Sequence, residues 1–338
     1  MRPYTNADQE AWDGFVLRSE GSTPAQTVPW LTVTAETYRV PLRAWLAEDA
    51  GTVRGILPLF EKRGFGAAPV LFSAPGGLLA TDEDAARCLL ETAAGVLAAG
   101  RLAYVELRDQ QVRWPGLETT TEHCTHVLPL AADVDGQWRA FDAKLRNQIR
   151  KAQRAGFAVR WGHEQLGAFC RVMLENMRDL GTPMRGEAYF RRVLDALGDA
   201  AAVLVIARDG EPVGAMFLAV HRGIAWDIWA SSLRREFAHC PNQMLYWEAL
   251  QEAMRRGLRA FDFGRSQWDT GTFRFKEQWG ARPVQLYYQY VMHGDAHIPT
   301  FADQQRRLGL AAQLWKRLPL PLARVLGDPI RRRFPELL

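Results

Sequence analysis

The chain has 338 residues, 48% of them hydrophobic and 24% charged; that excludes a disordered or collagen-like chain, and a length above the roughly 250–300 residues at which one core stops growing predicts two domains. No apolar run approaches the roughly 18 residues of a membrane span, and "MRPYTNADQEAWDGF" lacks a basic-then-apolar leader pattern, so a cytoplasmic location is expected. The net charge of +4 is local: residues 301–338 hold eight Arg and Lys against Asp303, Asp328 and Glu336, whereas the rest holds 34 basic and 35 acidic residues, which predicts basic patches rather than a general nucleic-acid surface.

In chain order, hydrophobic periodicity predicts helices over Ala7–Arg18 and Trp30–Tyr38, strands "LRAWLAED", "TVRGILPLFE" and Val70–Ser73, a long helix from Asp82 to Gly100, and the strand "LAYVEL". A helix over Trp138–Ala155 follows, then helices over Glu164–Asp179 and Glu187–Leu197. Strands "AAVLVIAR", "PVGAMFLAV" and "GIAWDIWAS", a helix over Pro241–Arg256 and the strand "RAFDFG" complete this half. The two halves repeat one order, and "AEDAGTVRGILPL" parallels "ARDGEPVGAMFLAV", each an acidic-glycine hairpin turn between apolar strands. A duplicated α/β unit with mixed, largely antiparallel sheets is the expectation.

The four cysteines, Cys88, Cys124, Cys170 and Cys240, are widely spaced without a C-x-x-C pair or a nearby histidine at ligand spacing, so neither a zinc site nor a disulfide framework is expected. No G-x-S-x-G element is present.

The stretch "FDAKLRNQIRKAQRAGFAVR" carries Lys144, Arg146, Arg150, Lys151, Arg154 and Arg160 with no acid from Ala143 to Arg160. At about 100° per residue the arginines share one arc, and Phe141, Leu145, Ile149 and Ala152 fill the opposite side. Such a helix is either a solvated surface face or the contact for a phosphate-rich partner. Beyond residue 300, Leu308, Ala311, Trp315 and Leu318 follow helical spacing beside Arg306, Arg307, Lys316 and Arg317. That stripe either packs on the domains or lies on the inner face of an anionic membrane.

With "FDFGRS", "GTFRFKEQWGA", "LRNQIRKAQRAGF", "CTHVLPL", "ENMRDLGTP", "PNQMLYWEAL" and "LWKRLPLPLARVLG" in order over residues 30–335, the chain resembles the FemAB-like transferases. Within them it is most similar to the branch that accompanies the PEP-CTERM/exosortase system of exopolysaccharide-producing bacteria. The resemblance implies an α/β (α+β) fold of two tandem GNAT-like N-acyltransferase domains, 1–130 and 131–295, the second carrying the main motifs, with a basic amphipathic helical tail over 296–338. It implies transfer of an aminoacyl or other activated acyl group to an amine of a cell-envelope or exopolysaccharide precursor. The donor is expected to be aminoacyl-tRNA or another activated acyl group, held through the basic helix 144–160. An acyl-CoA or acyl-carrier-protein donor and a non-catalytic envelope-assembly module are the alternatives. No cofactor and no metal are expected.

The family's "F-K" dipeptide matches Phe275 and Lys276, which makes Lys276 the candidate positive group at the reaction centre. Asp262, between Phe261 and Phe263 at a strand end, is the candidate for orienting the amine or accepting its proton, and Arg265 for binding a phosphate or carboxylate; an Asp–Arg pair closing the strand end is the other reading. Gly280 is a helix stop, so "TFRFKEQW" is expected on a short helix; as a strand, Arg274 and Lys276 would share a face. Candidate substrate-binding residues are Phe275, Arg274, Arg146, Arg150, Lys151, Asn242, Tyr246, Gly76 and Gly77, the glycines through close approach of an acceptor or as a simple turn. Two departures from relatives stand out. "RREFAHCPNQML" holds the place of a pyrophosphate-cradling glycine loop but has no glycine, and "RGFGAA" fits that pattern only by letter, ahead of a strand; this disfavours coenzyme A in the standard mode. The coiled-coil arm of some relatives is absent.

Overall fold

Hairpins and capped helices alternate along the chain, and the computed structural model, which describes residues 1–62, 68–293, 298 and 309–333, divides them between two units. The first comprises Met1–His123, with Gln285–Arg307 and Pro329–Leu338 as far as these are described; the second comprises Cys124–Val284 and Leu308–Asp328. The boundaries that the family resemblance implies are 130/131 and 295/296. The letters "RGFGA" and Arg306, Arg307 and Leu308 lie outside the described residues.

The first unit runs β1 (Arg2–Pro3), α1 (Gln9–Arg18), α2 (Val28–Tyr38), β2 (Leu42–Asp49), β3 (Thr52–Lys62), β4 (Val70–Ser73), β5 (Leu79–Ala80), α3 (Glu83–Ala99), β6 (Tyr104–Gln110) and the first half of β7 (Glu118–Pro129). Strands β2, β3 and β4 are antiparallel neighbours, and β6 lies parallel to β4. Asp82 starts α3 by accepting the Ala85 N–H at 2.9 Å, the side-chain cap that an acid at this position supplies. The apolar face of α3, Leu89, Ala93 and Leu97, packs on Leu57, Leu59, Leu71, Val105 and Leu107 of the sheet.

The second unit continues with α4 (Val134–Ala140), α5 (Ala143–Arg154), β8 (Ala158–Trp161), α6 (Leu166–Leu180), α7 (Glu187–Leu197), β9 (Ala201–Arg208), β10 (Glu211–His221), β11 (Ile224–Ser232), α8 (Pro241–Arg255), β12 (Ala260–Gln267) and α9 (Gly271–Glu277). Strand β13 (Arg282–Met292) begins here and from Gln285 belongs to the first unit, where it pairs antiparallel with β6. Two closing helices are α10 (309–315) and α11 (Leu320–Arg333). The single helix expected over Trp138–Ala155 is two: Phe141 is extended at ψ 147°, and Asp142 opens α5 afresh by accepting the Leu145 N–H at 2.6 Å.

Within the second unit the strand order is β12-β11-β10-β9-β8, with β9, β10 and β11 antiparallel and β12 parallel to β11 across α8. This repeats the first unit's β2, β3, β4, α3 and β6, so the expected duplication is present as a topology. Its turns match as well: Ala50 and Gly51 in one, Asp209 and Gly210 in the other, all at positive φ, the backbone twist that a tight hairpin requires. The core of the second unit gathers Leu145, Ile149 and Ala152 of α5 with Leu245, Ala249 and Leu250 of α8 and Phe261 and Phe263 of β12.

Candidate active site

Strands β11 and β12 pair at three positions, Ile224 with Ala260, Ala225 with Phe261 and Trp226 with Asp262. The ladder stops where Gly264 takes φ 72°. A Cβ at Gly264 would stand 2.9 Å from the Asp227 carbonyl oxygen, so this close, left-handed passage requires glycine. Strand β11 runs on to Ser232 and β12 to Gln267, leaving a gap between two parallel strands.

Strand alternation decides what faces this gap. Phe261 and Phe263 turn to Tyr246 of α8, with ring centroids 6.3 and 5.1 Å away. Asp262 faces the other way and is 1% exposed; its Oδ1 accepts from Thr125 Oγ1 and, at 2.7 Å, from the Gly264 N–H. Asp227 in β11 accepts from the Tyr246 hydroxyl at 2.6 Å. Its other oxygen is buried without a partner, and burial pushes its carboxyl up to about 6. The same burial, with Asp227 beside it, raises the Tyr246 phenol well above its usual range.

Lys276 enters from α9. Thr270 caps this helix through the Phe273 N–H at 3.3 Å, and the helical turn leaves Arg274 exposed while burying Lys276 to 3% exposure. The helix thus replaces the strand alternative, in which both would share a face. Lys276 Nζ donates to the carbonyls of Gly264 at 2.7 Å and Arg265 at 3.0 Å, the two residues at which β12 departs from its partner. Desolvation lowers the Lys276 ammonium to about 8, against the opposing pull of Asp227 and Asp262.

Asp227 and three further residues, Cys124, His126 and Ser266, none of them a site candidate from sequence, complete the cluster. Cys124 Sγ lies 3.8 Å from the Ser266 carbonyl and 4.0 Å from His126 Nδ1. Burial pushes the thiol up to about 11 and the imidazole down to about 4, so at neutral pH the pair is a thiol beside a neutral ring rather than a thiolate–imidazolium nucleophile. His126 Nε2 and Ser266 Oγ are buried without partners. The available signals were "CTHV", which places Cys124 and His126 on one strand face, and the lone acid in "IAWDIWAS".

The other sequence candidates fall elsewhere. Phe275 is half-buried, its ring 5.2 Å from Tyr246; Arg265 is exposed. Asn242 accepts from Ser232 Oγ at 2.6 Å, in the first turn of a helix whose N-cap is Cys240 in a left-handed conformation. Arg146, Arg150 and Lys151 line the outer side of α5: Arg146 reaches the Arg139 carbonyl at 3.4 Å, and the Arg150 guanidinium sits 5.3 Å from the Trp138 ring centre. Gly76 and Gly77, at φ 102° and 65°, lie in the first unit, where a side chain on either would run into Gln26 or Gln110. Among the described residues no group of three or more His, Cys, Asp or Glu is placed to hold a metal ion.

Residues 139–277 match the family model described as an acetyltransferase (GNAT) domain, the span that holds β11, α8, β12 and α9. Among solved structures, the crystal structure of FemX is similar over 93% of this chain and 100% of that one, with TM-score 0.70 and 16% identity. A tandem GNAT protein from the clavulanic acid biosynthesis pathway, solved without AcCoA, gives TM-score 0.55 at 14% identity over 88% and 98% of the two chains. The C-terminal domain (DUF2156) of a putative lysylphosphatidylglycerol synthetase from Agrobacterium fabrum gives 0.55 at 14% over 92% and 97%. No curated protein matches the chain. The fold is thus GNAT-like and of the tandem kind.

Proposed function

We propose that the second unit is an acyltransferase that joins an activated acyl group to an amine, forming an amide on a cell-envelope or exopolysaccharide precursor. The observation that carries this reading is the gap between β11 and β12, around which Asp262, Asp227 and Lys276 are buried together. Three ionisable side chains are kept inside at a cost in stability, as at sites retained for chemistry.

The reaction needs no enzyme nucleophile when the donor is already an ester or thioester. The amine nitrogen attacks the acyl carbon, the C–N bond forms as the carbonyl oxygen takes negative charge, and the leaving oxygen or sulfur departs with a proton. Positioning and electrostatics supply most of such an acceleration. Asp262, oriented by Thr125 and the Gly264 N–H, takes the amine proton directly or through water. Lys276 fixes the carbonyls of Gly264 and Arg265, and its ammonium supplies the positive charge that favours the oxyanion. Arg265, exposed where β12 parts from β11, is suited to a donor phosphate.

Aminoacyl-tRNA is the donor we favour. The loop before α8 is a 3-10 turn, Arg234–His239, closed by Cys240 and Pro241, without the glycines that let backbone amides cradle a pyrophosphate. The basic face of α5 offers phosphate contacts instead. The acetyltransferase description of the matching family supports acyl-CoA as the second reading.

The test is to offer the purified protein charged tRNA, acyl-CoA and acyl-carrier protein in separate reactions with amine-bearing envelope precursors, and to follow donor loss and amide formation by mass spectrometry. Consumption of charged tRNA with a matching amide product is expected. Consumption of acyl-CoA alone would transfer the assignment to the second reading, and consumption of none would leave a binding module.

A further inference from the structure

The packing of the last two helices is inverted. Helix α11 presses its smallest residues inward: Ala323 is fully buried, and a Cβ on Gly327 would stand 2.9 Å from the Met184 carbonyl oxygen. Its large aliphatic residues point the other way, with Leu322, Val325 and Leu326 exposed by 50%, 69% and 41%. They recur at i, i+3 and i+4 and therefore share one helix face. Helix α10 has the same character: Trp315 is buried while Leu310 and Leu314 are 82% and 69% exposed. Of the stripe expected from sequence, Trp315 is buried and Leu318 half-buried, Ala311 is exposed, and Leu308 lies outside the described residues. Five of the eleven large apolar side chains exposed among the described residues fall in this short segment. A helix whose only task was packing would turn these residues inward.

Charge says what meets this face. Lys316, Arg317, Arg324, Arg332 and Arg333 are exposed, and the one acid of residues 309–333, Asp328, accepts the Gly186 N–H at 3.0 Å. Arg324 also lines a cavity of about 560 Å3 whose wall includes Arg171, Leu320 and Val325. A second copy of the chain is a poor occupant, because a two-fold contact would bring these cations against themselves. Exposed aliphatic residues in a segment rich in exposed cations suit the headgroup boundary of an anionic bilayer. No described helix is long and apolar enough to cross a membrane, which leaves contact from one side.

We propose that α11 docks on an anionic lipid surface through Leu322, Val325 and Leu326, with the exposed Lys316, Arg317, Arg332 and Arg333 supplying the charge that meets the lipid phosphates. This inference does not depend on the acyl-transfer reading, and its test uses no activity. The full-length protein is floated with vesicles of phosphatidylcholine alone and of phosphatidylcholine mixed with phosphatidylglycerol, at low and high salt, beside the variant Leu322→Ser/Val325→Ser/Leu326→Ser. These side chains are exposed, so circular dichroism and thermal midpoint should match the wild type. Partition onto phosphatidylglycerol vesicles should exceed that onto phosphatidylcholine by about tenfold or more, fall in high salt, and be lost in the variant. Equal binding of both lipids, absence of binding, or undiminished binding of the variant overturns the proposal. So does a solution dimer that the three substitutions dissolve.

Discussion

Asp227 and Lys276 carry opposite charges into the same interior, and both pay for it at neutral pH. The Asp227 carboxyl is raised by burial to about 6. Between its unfolded value near 4 and that pH, the folded protein holds the proton more tightly than the unfolded chain. Stability therefore falls as pH rises through this window, and the penalty is complete above it. Lys276 is depressed to about 8, so the folded protein loses its proton first, and stability rises with pH from there until the unfolded lysine titrates. Asp227→Asn keeps an acceptor for Tyr246 without the charge. Its thermal midpoint should exceed that of the wild type above pH 6, the two converging below about pH 4; a lower midpoint at pH 7 would show that the carboxylate stabilises. Lys276 was legible through the match of Phe275 and Lys276 to the "F-K" dipeptide. Asp227 was not, because a lone acid in an apolar strand looks the same whether it faces water or a neighbouring ring.

The basic helix shows how far a periodic pattern reaches. Leu145, Ile149 and Ala152 are buried as the 3.6-residue spacing demands, and Lys144, Arg150, Lys151 and Arg154 are exposed. The break before it follows from Asp142, a good cap set inside what reads as one helix. Strand β7 escaped detection because "ETTTEHCTHVLP" is polar over its first half, and only its partners turn Cys124 and His126 inward; β13 escaped despite its aromatic residues. If α5 holds the phosphates of a tRNA, Arg146→Ala/Arg150→Ala/Lys151→Ala should weaken binding and reduce the slope of log affinity against log salt by about three. Fluorescence anisotropy of labelled tRNA over a salt series measures this, and an unchanged slope would return the helix to a solvated surface face.

At the scale of the whole molecule one topology occurs twice, yet among the described residues only the second unit shows its acid beside a buried lysine. Glu106 in β6, opposite Phe72, corresponds in position to Asp262 opposite Trp226. Glu106 is held by Arg108 at 2.8 Å and accepts from Tyr290 at 3.1 Å, a closed set of interactions. The duplication was legible through the Asp49 and Asp209 turns. The loss of symmetry between the sites was not, since it depends on Tyr290, which is distant in sequence and returned to the first unit by β13. Glu106→Gln should lower thermal stability while turnover of the folded protein stays at the wild-type level; a collapse of turnover would place chemistry in the first unit. The most direct test compares wild type and folded Lys276→Met on whichever donor the wild type consumes, following amide formation by mass spectrometry from pH 6 to 10. Turnover should drop by roughly 10²- to 10³-fold, the size of losing one oxyanion stabiliser, and the wild type's alkaline fall near pH 8 should be missing from the residual rate; a folded variant that turns over like the wild type would contradict the account.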